Sequence, residues 1–80
     1  TTVKYPKISS KEDVGAPLQG KLVELKVKEG GPVSKGNPLF VIEAMKMETT
    51  VTATRDGIVK RINIPVNSLV EQDDCILQFQ

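Results

Sequence analysis

From Gly15 onward short apolar runs alternate with glycine, proline and polar turns, and no window carries an apolar stripe of useful length at helical spacing. Leu25 and Val27 alternate as strand residues do, but Leu22 stands three residues ahead of Leu25. Val59, Ile62 and Ile64 repeat that odd spacing. One extra residue re-phases a strand in this way, so a β-bulge or sharp bend is expected near Val23–Glu24 and again near Lys60–Arg61. The alternative is that Leu22 and Val59 lie exposed. Glycine, proline and short polar residues place turns at Glu29-Gly30-Gly31-Pro32, Lys35-Gly36-Asn37-Pro38, Val66-Asn67-Ser68 and Gln72-Asp73-Asp74-Cys75. The glycines, Gly20 and Gly57 included, are read as turn residues. The chain reads as all-β.

A gapless internal repeat organises these pieces. Sliding the sequence by 37 positions lays Ala16 on Ala53 and Gly20 on Gly57. The same shift lays Leu22 on Val59, Leu25 on Ile62, Val27 on Ile64, Val33 on Val70, Leu39 on Ile76, Phe40 on Leu77 and Ile42 on Phe79. Residues 16–43 and 53–80 are thus two copies of one unit, joined by residues 44–52. Each copy supplies about four short strands. The expected fold is a flattened β-barrel or sandwich of two four-stranded antiparallel sheets, with a pseudo-twofold axis and no long open edges. Residues 1–14 read as an extended lead-in in which Val3 and Tyr5 could dock, with the domain proper at 15–80.

Composition narrows the function. Eighty residues make one small domain, and 39% apolar residues allow a core with only Tyr5, Phe40 and Phe79 as aromatics. A net charge of +1, with two arginines, offers no field to draw in nucleic acid. The absence of histidine excludes a Ser–His–Asp triad, a Cys–His pair and most zinc sites. No metal site is expected. Cys75, the single cysteine, reads as a small buried or half-buried apolar residue. The longest strictly apolar run, Leu39–Ile42, is too short to cross a bilayer, and no signal-peptide pattern opens the chain. A cytoplasmic or mitochondrial-matrix setting is expected.

What remains is Glu43-Ala44-Met45-Lys46-Met47-Glu48, in the link between the two copies. The only two methionines flank one of nine lysines. Strands expected at Leu39–Ala44 and Met47–Val51 leave a two-residue turn at Met45-Lys46, where Asn-Gly is the usual choice. A turn rule broken at this point suggests function, against the plainer alternative of a wider loop with a solvated lysine. If the start of the first unit and the finish of the second meet at the opposite end, Lys46 is offered at one pole while a tether holds the other. An ordinary lysine amine is protonated in all but about one molecule in a few thousand at pH 7. With carboxylates as its nearest charged neighbours, this is not the setting of a Schiff-base lysine. The amine reads as a mounting point.

The stretch Glu43-Ala44-Met45-Lys46-Met47-Glu48 resembles the attachment motif of biotin carboxyl carrier domains, together with Ala16-Pro17 and Gly20 upstream and Asp56-Gly57 downstream. The resemblance covers Gly15 to Phe79. It implies a flattened β-barrel of two four-stranded sheets and biotin attached covalently to Lys46. It further implies recognition by a biotin protein ligase through Ala44, Met45, Met47 and Glu48, with Glu43 weighed as a contact or a solubilising charge. In such proteins biotin is carboxylated at an ATP- and bicarbonate-using biotin carboxylase site and carries CO2 to a carboxyltransferase site. The carrier itself catalyses neither step. Lipoyl carriers share the fold but have other residues beside the lysine, so the two methionines favour biotin. Only Lys28–Pro32 separates Val27 from Val33, which leaves no room for the protruding thumb of some acetyl-CoA carboxylase carriers. Leu18 stands where many relatives have methionine. The approach Val14-Gly15-Ala16-Pro17 is most similar to the C-terminal carrier domain of pyruvate carboxylases, which implies pyruvate as acceptor. A carrier from another biotin-dependent carboxylase or decarboxylase, a lipoyl-type carrier, or an unmodified docking domain are the alternatives.

Overall fold

The computed structural model describes residues 5–80, and the expected contact of Val3 lies outside them. Eight strands follow one another: β1 (Asp13–Gly15), β2 (Gly20–Leu25), β3 (Pro32–Val33), β4 (Pro38–Ala44), β5 (Met47–Thr52), β6 (Gly57–Ile62), β7 (Leu69–Val70) and β8 (Cys75–Phe79). They form two four-stranded antiparallel sheets, ordered β1-β8-β6-β3 and β5-β4-β2-β7. The sheets are not closed into a barrel. They make a flattened sandwich, with extents of 33 × 23 × 17 Å.

The repeat governs the backbone as well as the core. Leu22 pairs with Ile42, Glu24 with Val41 and Leu25 with Phe40. Thirty-seven residues on, Val59 pairs with Phe79, Arg61 with Gln78 and Ile62 with Leu77. Both ladders skip a residue where the spacing predicted a bulge, between Leu22 and Glu24 and between Val59 and Arg61. The extra residue turns Leu22 and Val59 fully inward, so neither lies exposed. The turns obey the same shift: Gly30 and Asn67 have φ of 82° and 78°, Gly36 and Asp73 of 90° and 70°. Only residues that tolerate left-handed backbone serve there. The paired positions Ala16 and Ala53, Val33 and Val70, Leu39 and Ile76, Phe40 and Leu77, and Ile42 and Phe79 all lie in one buried cluster. Cys75 is buried as expected, 2% exposed, with its sulfur accepting from Asn63 Nδ2 at 3.3 Å.

Three expectations need correction. First, the repeating unit starts at β1 instead of Ala16. Asp13, Val14 and Gly15 pair with Gln78, Leu77 and Cys75 in the register that Thr50, Val51 and Thr52 keep with Val41, Phe40 and Pro38. Residues 13–43 and 50–80 are the structural copies. Second, Gly20 and Gly57 open β2 and β6 and sit in ladders, opposite Val70 and Val33. Third, one long edge stays open among the described residues. β1, β3 and β7 are edges of two or three residues, but β5 exposes a six-residue edge.

The segment before β1 is bound to the second copy. Ile8 N–H donates to Asp73 O at 2.9 Å, Cys75 N–H to Pro6 O at 2.8 Å, and Phe79 N–H to Glu12 O at 2.8 Å. Lys7 Nζ lies 2.7 Å from the carboxylate of buried Asp74 and 3.3 Å from Glu71. Tyr5 packs on the core, and its hydroxyl lies 3.3 Å from Ser68 Oγ.

Candidate functional site

β4 and β5 form a hairpin with Ala44 opposite Met47, leaving Met45 and Lys46 as the whole turn. Both have left-handed backbone, φ 52° and 67°, as a two-residue turn matched to the twist of its strands requires. Neither residue type prefers that region, and the cost is of order 1–3 kcal/mol for each. The hairpin carries it because β4 is anchored below: Leu39, Phe40, Val41 and Ile42 are all buried. One rung down, Glu43 faces Glu48, a like-charge pair that weakens a ladder. Two local rules are therefore broken within six residues.

The result is a lysine held at an apex. Lys46 is exposed, and among the described residues it makes no ion pair. Met45 is 94% exposed and Met47 72%, while Glu48 is exposed and Ala44 half-buried. The residues read from the sequence as one constellation thus stand together around the turn. No group of three or more potential metal ligands occurs among the described residues.

Sequence reading missed two features beside the turn. A Cβ on Gly20 would fall 2.5 Å from the carbonyl oxygen of Glu43 and 2.8 Å from Ile42 Cγ2, so only glycine lets β2 lie this close under the hairpin. Leu69, 77% exposed on β7, stands opposite Lys21, which in turn stands opposite Glu43. The paired glycines were the available signal for the first; nothing in the sequence marked the second.

The poles are as expected in part. β2 starts beside the turn and runs away from it, and beyond its end Gly30 N–H donates to Val59 O at 2.7 Å. Val59 pairs with Phe79, so the end of β8 lies at the pole opposite Lys46. Glu12 and Asp13 meet it there, whereas Ala16 does not: it bonds Asp73 and Asp74, in the turn that follows β7 near the lysine end. The chain ahead of β1 doubles back, and Tyr5 reaches Ser68 at the β7 edge of the sheet that carries Lys46.

Residues 12–79 match the family model described as biotin-requiring enzyme, the biotin–lipoyl family. The chain belongs to this family. It is a biotin carboxyl carrier domain similar to those of pyruvate carboxylase and other biotin-dependent carboxylases. Human mitochondrial pyruvate carboxylase is 43% identical over 70 residues, which cover 88% of this chain and 6% of that protein. The chain therefore spans a small fraction of the length of such relatives. A single-chain, multi-domain long-chain acyl-CoA carboxylase superposes with a TM-score of 0.78 at 31% identity, over 81% of this chain and 6% of that one. The lipoyl domain of the Azotobacter vinelandii 2-oxoglutarate dehydrogenase complex has a TM-score of 0.75 at 22% identity, over 85% and 94% of the two chains. That last likeness shows the fold alone.

Proposed function

We propose that Lys46 is the residue that carries biotin, through an amide at its Nζ, and that the domain serves a parent enzyme of the pyruvate carboxylase type. The observation that carries this reading is the apex geometry: one exposed amine on a two-residue turn that the backbone pays to keep, between two exposed methionines, in a chain of the biotin-requiring family. The residues present fit the group, since an exposed amine that makes no ion pair among the described residues is open to acylation from outside. Ala44, Met45, Met47 and Glu48 present the contacts by which a biotin protein ligase would select this lysine from nine.

When bound, biotin supplies a ureido nitrogen that can accept and release a carboxyl group. The chain's own part is position. β4 and Gly20 fix the height of the turn, and the bare apex lets it enter a partner's site without the sandwich following. Biotin carboxylase and carboxyltransferase domains are the proposed partners, with pyruvate as the proposed acceptor. Tethering to both at roughly millimolar local concentration replaces a bimolecular search. The proposed setting is the cytoplasm or the mitochondrial matrix; no helix among the described residues is long and apolar enough to cross a membrane.

The carrier role is tested with labelled bicarbonate, ATP and an isolated biotin carboxylase. The biotinylated chain is expected to take up label and to lose it to pyruvate when a carboxyltransferase is added. A fully biotinylated chain that takes up no label would sink the carrier reading. Label taken up but never passed to pyruvate would sink the choice of acceptor.

A further inference from the structure

Beside the lysine turn runs a shallow groove of about 510 Å³ between the start of β2 and the end of β4. Leu18, Ala44, Met45 and Leu69 give it apolar walls, and Lys21 and Glu43 stand at its rim. Its place in the repeat is informative. The counterpart of Leu18 in the second copy is Arg55, whose guanidinium carbon lies 5.3 Å from the centre of the Phe79 ring. The counterpart of Leu69 is Pro32, and Met45 stands in the link between the two copies. The two copies share their ladder registers over Leu22–Leu25 and Val59–Ile62, so the groove, at the end that bears Lys46, differs from the equivalent face of the second copy in the side chains at Leu18 and Leu69 and in the hairpin that carries Met45.

We propose that this groove is a resting site for the biotinyl arm of Lys46, an inference that rests on the reading of Lys46 as the biotin acceptor. The occupant follows from connectivity and chemistry. Met45, a wall of the groove, is the residue next to Lys46, so an arm on Nζ samples the groove without leaving the domain. At roughly millimolar local concentration, a contact too weak to capture free biotin still holds a tethered one. The arm combines an apolar chain and thioether ring with a ureido group that both donates and accepts hydrogen bonds. Leu18, Met45 and Leu69 suit the former; the Glu43 carboxylate accepts and the Lys21 ammonium donates to the latter. Resting there shelters apolar surface of the arm between visits to partner sites, and a partner must draw the arm out.

The test compares amide spectra of the 15N-labelled chain before and after enzymatic biotinylation, with intact mass to establish that the group is present. Shifts are expected at residues 18–21 and 68–70 as well as around Lys46, with nuclear Overhauser contacts from biotin ring protons to the methyls of Leu18 and Leu69. Leu69→Glu, at an exposed position, should gain the same mass and lose the shifts at residues 18–21. Leu18→Arg, which adopts the second copy's choice, should do likewise. A chain that gains the mass but shifts only at residues 45–47 overturns the resting site alone and leaves the groove to a partner's surface. A chain that gains no mass overturns the biotin reading and this one together.

Discussion

Met45 and Lys46 occupy positions where asparagine and glycine are the comfortable choices. Replacing Lys46 with glycine removes one side chain from left-handed backbone and should stabilise the domain by about 1 kcal/mol. In a domain of this size that corresponds to a rise in Tm of about 4–8 °C. The same variant should accept no biotin. Scanning calorimetry and a streptavidin blot check the two halves, and an unchanged or lower Tm would show that the turn is not strained. The lysine was legible in the sequence because its neighbours violate a turn rule and match a motif. Gly20 was legible only as a glycine: its role depends on Glu43 O lying 2.5 Å from where a Cβ would be, a contact between residues far apart in sequence.

Among the elements, the bulged strands were readable because a displaced apolar residue leaves a spacing that regular alternation cannot produce. β1 was not. Three residues show no period, and Asp13-Val14-Gly15 matches Thr50-Val51-Thr52 only at valine; the ladder to β8 defines the strand. Its start is fixed by the Asp13 carboxylate, which accepts from Ser9 N–H at 2.8 Å, Ser10 N–H at 3.3 Å and Gln78 Nε2 at 2.9 Å. These bonds, the Ser9 N–H foremost, hold Asp13 below the ordinary carboxylate value. A carboxyl lowered by folding contributes stability above its unfolded pKa and loses it as pH falls through the folded one. Asp13→Ala should therefore melt below wild type at pH 7, with the gap closing as pH drops below about 4. A gap independent of pH would mean that the carboxylate's charge contributes nothing. Lys7 has the opposite sign: its bond to Asp74 raises it, so its contribution persists through neutral pH and fades only in strong alkali.

At the scale of the whole molecule, the twofold repeat turns a local motif into a geometry. Two copies in equivalent registers put the link between them at one pole and the end of β8 at the other. The apolar pattern made that arrangement visible in advance, because 37 residues separate matching core positions from end to end. The path of the segment before β1 was not visible. It is set by backbone bonds to Asp73 and Cys75 and by Lys7 on Asp74, none of which leaves a period in the sequence. The central claim is that one lysine of nine is chosen by its position at the apex. Intact mass and peptide mapping after co-expression with a biotin protein ligase address it most directly. One biotinyl group on Lys46 in wild type, and none in Lys46→Arg, is the expected result; an unmodified wild type, or biotin gained by Lys46→Arg, would contradict it.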